Sequence, residues 1–302
     1  MKEYKVGILG FGTVGAGVAD CLLNNADVIA KRTGIRPVLA GIADLDITTD
    51  RGIRIPAGLL TTDASELIHH VDVVVELIGG TTVAKKFILQ ALGEGKSVVT
   101  ANKALLAEHG EELFAAAEKN NADLYYEASV GGGIPIIRSI NECLTADKIE
   151  EITGILNGTT NYILTRMKNE GLDFAEVLKA AQDLGYAEKN PEADVEGYDA
   201  CRKIAILSSL MCGKNVKYED IYTEGITKIT PEDMEYAAKL GRTIKLLGTS
   251  RRLADGTCYA MVAPFMLGQN SPLYSVNDVF NAVFVHGNML GDAMFYGSGA
   301  GK

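Results

Sequence analysis

The chain lacks the features that mark membrane proteins and nucleic-acid-binding proteins. It contains no tryptophan, and its longest apolar runs, such as VDVVVELIGG at 71–80, fall short of the ~20 residues that cross a bilayer. Lysine and arginine total 29 against 39 aspartate and glutamate, so the net charge of −10 provides no basic excess for nucleic acid or an anionic membrane surface. The expected partner is a small molecule, with no nucleic acid and no membrane.

Cysteine and histidine are also scarce, and they are scattered. None of the five cysteines forms a CxxC pair, and no charged-then-apolar leader precedes the first apolar segment at 6–9, so a reducing, cytoplasmic location is expected. The four histidines show no HExxH or other zinc-ligand spacing. A GxSxG nucleophile motif is absent as well. Hydride transfer with acid–base assistance is the chemistry that remains.

Residues 1–130 alternate short apolar runs with longer amphipathic ones. The apolar runs are KVGIL, RPVLAGIAD, VDVVVELIG and KSVVTA, and helices are predicted at about 13–32, 83–95 and 103–120. Continuous apolar strands between helices indicate a parallel sheet that is covered on both faces. We predict an α/β fold in which a Rossmann-type, doubly wound sheet forms a dinucleotide-binding domain over residues 1–130.

The alternation ends after SVGGGIP. The strand-like KIEEITGIL is followed by three helical stretches between about 160 and 212, by a helix that TPED opens, and by a hairpin with Asp255 and Gly256 at its turn. This order predicts a second, α+β domain over residues 131–302.

Three glycines near the N-terminus have the GxGxxG spacing. Gly10, Gly12 and Gly15 directly follow an apolar strand and directly precede a helix. In that setting the first glycine makes the turn, the second lets the backbone approach a pyrophosphate, and the third lets helix and strand pack closely. The unpaired N–H groups of the helix then face the phosphates. The motif predicts dinucleotide binding; a purely structural glycine turn is the alternative.

Asp44 ends the second apolar strand, where an acidic side chain accepts hydrogen bonds from the adenosine ribose and disfavours a 2′-phosphate. It lies further from the glycines than the usual interval of about 20 residues, which we ascribe to a long first helix. Arg51 or Arg54 would instead suit a 2′-phosphate. NAD is preferred, and NADP stays open.

An acidic segment precedes and enters a predicted helix. Within sixteen residues it places Glu188, Glu192, Asp194, Glu196, Asp199 and Lys203. An exposed i,i+4 pair such as Asp199 and Lys203 contributes only about 0.3–0.5 kcal/mol. This pair, however, lies beside the apolar stripe that the helix must bury. The carboxylates could therefore bind the ammonium group of an amino-acid substrate while the lysine moves a proton, and a solvated charged face is the alternative.

Lys103 follows another buried strand, at the carboxyl end where open α/β sheets bind ligands. A lysine in the first turn opposes the helix dipole, which favours a functional reason for its presence. An exposed lysine at a helix start is the alternative.

The glycine-rich stretch YEASVGGGIPI joins one carboxylate, Glu127, to an irregular backbone. The carbonyls of Val130, Gly132 and Ile134 could converge there, and oxygen ligands of this kind suit a hard cation. An interdomain hinge is the alternative.

Seven segments together resemble homoserine dehydrogenase: GFGTVGAGV, VVTANKALLA, EASVGGGIPII, LNGTTNYIL, LGYAE, DVEGYDACRK and YGSGAGK, in that family's order and across the whole chain. The resemblance implies NAD- or NADP-dependent interconversion of L-homoserine and L-aspartate 4-semialdehyde in threonine, methionine and isoleucine biosynthesis. It also implies that the second domain is both catalytic and the site of homodimer formation.

By motif position, the resemblance makes Lys203 the proton donor and acceptor, Lys103 a second lysine at the nicotinamide and substrate, and Asp199 and Glu188 ligands of the substrate. The implied cofactor-binding residues are Gly10, Phe11, Gly12, Thr13, Val14, Gly15, Asp44, Thr81, Lys103 and Gly301. A sodium ion is implied at Glu127, Val130, Gly132 and Ile134.

The chain departs from the family pattern in three places. Ala43 stands where relatives that favour NADP often carry arginine, and IGGTTVAKK lacks a common acidic residue and proline. In the family the GAG segment leads into a helix and, in many bacterial members, a regulatory domain; because this chain stops at Lys302, truncation is expected. The rival interpretations are a Rossmann reductase of another semialdehyde or imine, and an inactive, truncated nucleotide-binding form.

Overall fold

The computed structural model describes residues 1–301. They divide into two units, one of Met1–Ser129 together with Gly301 and one of Val130–Ala300. Among these residues no helix has both the length and the apolar character needed to cross a bilayer.

The first unit alternates strands and helices. Its elements are β1 (Lys2–Leu9), α1 (Thr13–Asn24), α2 (Ala26–Thr33), β2 (Ile35–Ala43), β3 (Leu60–Thr61), α3 (Ala64–His69), β4 (Val73–Glu76), α4 (Thr82–Gly93), β5 (Ser97–Thr100), α5 (Lys103–Lys119), β6 (Leu124–Tyr125) and a 3₁₀ turn (Glu127–Ser129).

All strand pairs of this unit are parallel, in the order β3-β2-β1-β4-β5-β6. The central strand β1 buries Ile8 and Leu9 completely, as expected for a strand covered on both faces. Chain order reverses at β1, so the loops after β1 and β4 flank the switch point where such sheets bind ligands. The predicted doubly wound Rossmann-type sheet is confirmed.

The single helix predicted over 13–32 is wrong in one respect. The chain forms two helices, and Asn25 ends the first with its N–H bonded to the Cys21 carbonyl. Asn24 and Asn25 lie at this break, and asparagine is unfavourable in helix interiors because its side chain can bond nearby backbone groups in non-helical conformations. The long interval between the glycines and Asp44 therefore reflects an additional helix, α2, and not one long helix.

The second unit packs helices against an antiparallel-rich sheet. Its elements are α6 (Ile136–Arg138), a π-helical turn (Ser139–Cys143), β7 (Ile149–Ile155), α7 (Gly158–Glu170), α8 (Phe174–Asp183), α9 (Glu192–Val195), α10 (Tyr198–Cys212), a 3₁₀ turn (Tyr218–Asp220), β8 (Tyr222–Thr223), α11 (Pro231–Lys239), β9 (Arg242–Arg252), β10 (Cys258–Gly268), β11 (Phe280–Gly287) and β12 (Gly291–Ser298).

The strand order of the second sheet is β12-β11-β7-β9-β10-β8, and only the β10–β8 pair is parallel. Gly248 of β9 brings α10 close to the sheet, because a Cβ there would lie 3.1 Å from Cβ of Ile204. The predicted α+β organisation is present, and α10 is its most buried helix, with ten buried residues.

Candidate active site

The glycine turn between β1 and α1 has the geometry that the GxGxxG spacing predicts. Gly10 has φ +101°, and a Cβ there would lie 2.6 Å from the Leu77 carbonyl. A Cβ on Gly15 would lie 2.1 Å from the Gly10 oxygen, so the third glycine lets α1 approach the turn. Gly12 has no atom within 4 Å of its Cβ position, which leaves its backbone accessible to a ligand.

Asp44 lies directly against this turn. One carboxylate oxygen accepts the Phe11 N–H at 2.5 Å, and the other accepts the Asp46 N–H at 2.8 Å. The Phe11 side chain is itself buried in the core, at 4% exposure. Asp44 is therefore fixed beside the glycine turn, and the Phe11 ring packs into the core and does not face the surface of the turn.

A cavity of about 300 Å³ adjoins the glycine turn. Its lining residues are Gly12, Thr13, Ala16, Gly17, Asp20, Asp50, Arg51, Gly52 and Ile53. Arg51 is held there by an ion pair with Asp46 at 3.1 Å. Hydrogen bonds from Thr49 and Thr48 keep the pKa of Asp46 well below its usual range, so the pair is ionised at neutral pH.

A buried carboxylate joins the ends of β4 and β5. Glu76 is 0% exposed; its two oxygens accept the Ile78 N–H at 2.8 Å and the Thr100 hydroxyl at 2.7 Å. Asn102 then donates from its amide side chain to the Gly80 carbonyl at 2.7 Å. These bonds fix the loops after β4 and β5 relative to each other.

The same loops carry two predicted cofactor residues. Thr81 is the residue before α4, and Lys103 is the first residue of α5, where it is half-buried. The Asn102 side chain caps α5 by accepting the Leu105 N–H at 3.1 Å. Thr13 and Val14 begin α1 and are exposed, and Gly301 is exposed at the end of the described chain.

In the second unit, Asp199 and Lys203 form a buried ion pair on α10. Their Oδ2 and Nζ atoms are 2.7 Å apart, and the side chains are 8% and 11% exposed. Lys203 also donates to the Leu156 carbonyl at 2.7 Å, at the end of β7. The alternative of a solvated surface pair is therefore wrong: α10 packs on the sheet and carries both charges inside.

Asn157 brings a second carboxylate to this pair. Its amide nitrogen lies 2.7 Å from Asp194 Oδ1 and 2.8 Å from Asp199 Oδ2, and it donates to both. Asn157 was not singled out from the sequence, because 37 and 42 residues separate it from these partners. Only the recognition of LNGTTNYIL as a family segment pointed to this region.

The acidic segment before α10 has a fixed shape. Gly197 precedes the helix with φ +83°, and Gly225 packs against the Val195 carbonyl so closely that a Cβ would lie 2.2 Å away. Glu188 is exposed, and its carbonyl accepts a hydrogen bond from Gln182 at 3.0 Å. Asp194 thus joins Asp199 and Lys203 through Asn157, whereas none of these bonds includes the Glu188 carboxylate.

The predicted cation ligands lie in a tightly held stretch. Val130 and Ile134 have buried side chains, and the Ile134 N–H donates to Gly131 at 3.0 Å. Gly132 has φ +56°, and a Cβ there would lie 2.6 Å from the Gly299 oxygen. Glu127 begins the 3₁₀ turn that ends the first unit. Within residues 1–301, no three His, Cys, Asp or Glu side chains are grouped to hold a metal ion.

Comparison with known proteins assigns both units to one family. Residues 135–302 match the model of homoserine dehydrogenase, and residues 10–127 match the model of the homoserine dehydrogenase NAD binding domain. The chain is 45% identical to the homoserine dehydrogenase of Bacillus subtilis, an alignment that includes all of this chain and 70% of that protein.

Two solved structures extend the similarity. The homoserine dehydrogenase of Thiobacillus denitrificans has a TM-score of 0.95 at 43% identity, with all of this chain and 70% of that chain covered. A hyperthermophilic archaeal homoserine dehydrogenase in complex with NADPH has a TM-score of 0.78 at 28% identity, with 99% of this chain and 92% of that chain covered. The chain belongs to the homoserine dehydrogenase family of NAD(P)-dependent oxidoreductases.

Proposed function

We propose that the chain catalyses NAD(P)-dependent interconversion of L-homoserine and L-aspartate 4-semialdehyde. The observation that carries the proposal is the buried Lys203–Asp199 pair, which lies in the segment that matches the homoserine dehydrogenase model. A buried lysine with a fixed carboxylate partner is suited to move a proton at a hydroxyl group. The reaction belongs to threonine, methionine and isoleucine biosynthesis, and we expect it in the cytoplasm.

In the oxidative direction, neutral Lys203 takes the proton of the substrate hydroxyl, while a nicotinamide cofactor, when bound, supplies the acceptor for the hydride on the same carbon. In the reverse direction the Lys203 ammonium returns that proton to the alkoxide oxygen. Asp199 and Leu156 hold the lysine nitrogen in place through the two 2.7 Å bonds. We assign Lys103 as a second lysine at the reacting end of the substrate.

Substrate recognition is assigned to the carboxylates. The homoserine ammonium group pairs with Asp199 and Asp194, because charge-assisted hydrogen bonds to carboxylates are among the stronger polar contacts. Glu188, which is exposed, is assigned as a further ligand of the substrate.

Cofactor binding is assigned to the first unit. The N–H groups at the start of α1 face the pyrophosphate, and Gly12 leaves room for it. Asp44 accepts the ribose hydroxyls, which favours NAD over NADP because its charge repels a 2′-phosphate. Arg51, which lines the adjoining cavity, is the residue that would accommodate NADP. The ratio of kcat/KM for the two cofactors, in the parent and in Asp44→Ser, decides between them.

A sodium ion is proposed at Glu127, Val130, Gly132 and Ile134, as the family resemblance implies. The positive φ of Gly132 turns the backbone within this stretch, and oxygen ligands suit a hard cation. Activity or thermal stability should rise with Na⁺ when choline chloride holds ionic strength constant. A flat titration contradicts the proposal.

A homodimer is proposed through the sheet of the second unit. Its face opposite α10 carries a cavity of about 300 Å³ with apolar walls that include Leu247, Met261, Phe265 and Phe284. Tyr259 on the same face is 40% exposed. A second copy of the chain would cover this surface. Light scattering should give twice the chain mass, and Phe265→Glu should give the monomer; a monomeric parent refutes the proposal.

The decisive experiment follows the absorbance of the reduced nicotinamide with L-homoserine and NAD⁺ or NADP⁺. Asp194→Asn, Asp199→Ala and Glu188→Ala should chiefly raise the KM for homoserine, and unchanged kinetics in all three contradict the substrate assignment. A panel of other semialdehydes, compared by kcat/KM, tests the rival reductase. Tight cofactor binding without turnover of any substrate would favour the inactive nucleotide-binding form.

A further inference from the structure

Asn157 occupies the corner between β7 and α7 and is 5% exposed. Its amide oxygen accepts the Thr160 N–H at 2.8 Å and the Thr160 hydroxyl at 3.0 Å, so it caps α7. A backbone N–H can only donate, which identifies the atom facing Thr160 as the oxygen. The NH₂ group of Asn157 therefore faces the opposite way.

Both hydrogens of that NH₂ group are donated to carboxylates. One oxygen belongs to Asp194 and the other to Asp199, at 2.7 and 2.8 Å. Two carboxylates repel each other, so their close approach depends on donors that hold them, and Asn157 donates to both. Asp194 and Asp199 place two carboxylates beside each other, and a cationic group between them would make charge-assisted hydrogen bonds to both.

The same corner of the chain contacts both members of the ion pair. The Leu156 carbonyl accepts from Lys203, and the next residue, Asn157, donates to the Asp199 oxygen that bonds Lys203. The Asp199 oxygen is thus placed by two donors at 2.7 and 2.8 Å. Loss of the Asn157 donor would remove one restraint on Asp194 and one on Asp199.

We propose that Asn157 is a positioning residue that holds Asp194 and Asp199 together as one receptor for the ammonium group of the amino-acid substrate. The inference rests on the proposed function and adds to it the residue that sets the spacing of the two carboxylates. The cap on α7 and the donor to the carboxylates are two separate roles of one side chain, and a substitution can separate them.

The test is Asn157→Asp. Aspartate caps helices as well as asparagine does, so the bond from the Thr160 N–H is kept. The NH₂ donor becomes an oxygen that repels both carboxylates. We expect kcat/KM for L-homoserine to fall by about 10- to 100-fold, mainly through KM, while the KM of the cofactor changes less than about twofold. An equal rise in both KM values, or kcat/KM within about threefold of the parent, overturns the inference.

Two further variants make the result decisive. Asn157→Ser keeps a capping oxygen and adds no charge, so it replaces Asn157→Asp if that protein does not fold. It should also raise the KM for L-homoserine while it leaves the KM of the cofactor nearly unchanged. Asp173→Ala removes a cap of the same kind from α8, where Asp173 accepts the Glu176 N–H at 2.9 Å, and should leave both KM values unchanged. A parent that does not turn over homoserine refutes the proposed function together with this inference, whereas an active parent and an unchanged Asn157→Asp refute the inference alone.

Discussion

Lys203 and Asp199 lie one helical turn apart on α10, with Nζ and Oδ2 separated by 2.7 Å and both side chains about nine-tenths buried. Burying two charges carries a desolvation cost that their attraction recovers only with good geometry and further hydrogen bonds. Leu156 and Asn157 supply those bonds here. Because apolar residues at such positions are often as stable, this arrangement is better explained by chemistry than by stability.

Replacement of Lys203 by alanine should abolish most turnover. Proton transfer by a positioned side chain typically contributes about 10²- to 10⁴-fold, so kcat should fall by that factor, while cofactor binding, followed by fluorescence titration, is retained. The variant also leaves Asp199 without its ammonium partner, which should cost about 3–5 kcal/mol of stability. The double variant Lys203→Ala/Asp199→Ala should recover part of that stability and none of the activity. Single-variant activity within about threefold of the parent would contradict the role of Lys203.

Alanine substitutions in the glycine turn should have two different effects: one should weaken stability and cofactor binding together, and the other should weaken cofactor binding alone. Gly15→Ala places a Cβ 2.1 Å from the Gly10 oxygen, so it should lower the melting temperature and weaken cofactor binding together. Gly12→Ala meets no protein atom within 4 Å, so it should leave the melting temperature unchanged and raise the cofactor Kd about tenfold or more.

Gly93→Ala provides the matched control. Gly93 ends α4, and its Cβ position also has no atom within 4 Å. It should leave the cofactor Kd unchanged, and the melting temperature should stay the same or rise slightly because alanine favours a helix over glycine. If Gly12→Ala behaves like Gly93→Ala, the turn is structural and does not contact a pyrophosphate.

Local patterns in the sequence were enough to predict the glycine turn and the Rossmann-type sheet. Both depend on residues within a few positions of one another, as with Gly10, Gly12 and Gly15, or on continuous apolar strands. The burial of Asp199 and Lys203 was predictable for the same reason, because their spacing placed them beside an apolar stripe.

Local patterns did not predict the long-range hydrogen bonds or the last two strands. Asn157 meets Asp194 and Asp199 only through the packing of α7 against α9 and of β7 against α10, which no local pattern specifies. The last two strands, β11 and β12, were not predicted either. β12 alternates exposed and half-buried residues at the sheet edge, so its apolar signal is weak.

Glu76 should contribute both to the stability of the first unit and to cofactor binding. Glu76→Ala removes the acceptor of the Ile78 N–H and of the Thr100 hydroxyl, both buried or half-buried, and should cost about 2–4 kcal/mol in urea unfolding. Because the loops after β4 and β5 would no longer be tied, the cofactor KM should rise as well. Thr100→Ser keeps the hydroxyl and should resemble the parent. A destabilised Glu76→Ala with parental cofactor KM would show that the bond serves the fold alone.

Lys245 on β9 is a buried cation that the proposed reaction does not use. Its side chain is 1% exposed, and Nζ donates to Asn161 Oδ1 at 2.9 Å, to the Val276 carbonyl at 2.5 Å and to Asn277 Oδ1 at 3.0 Å. All three partners are neutral. Burial, with a smaller effect of the Lys168 charge, lowers the pKa of Lys245 from 10.5 to about 8, while Asp278 opposes the change.

The free energy of unfolding should therefore rise as the pH increases from about 8 to 10.5. In this window the unfolded chain keeps the Lys245 proton and the folded chain releases it, so the cost of burying the charge is relieved. The full pKa difference corresponds to about 3 kcal/mol. Lys245→Met removes the titrating group at this position. When parent and variant are compared by urea unfolding at each pH, the contributions of all other titrating groups cancel in the difference between their free energies of unfolding. The stability of the parent relative to Lys245→Met should increase through this window; a constant or decreasing difference would mean that the buried ammonium stays protonated, held by its three oxygen acceptors.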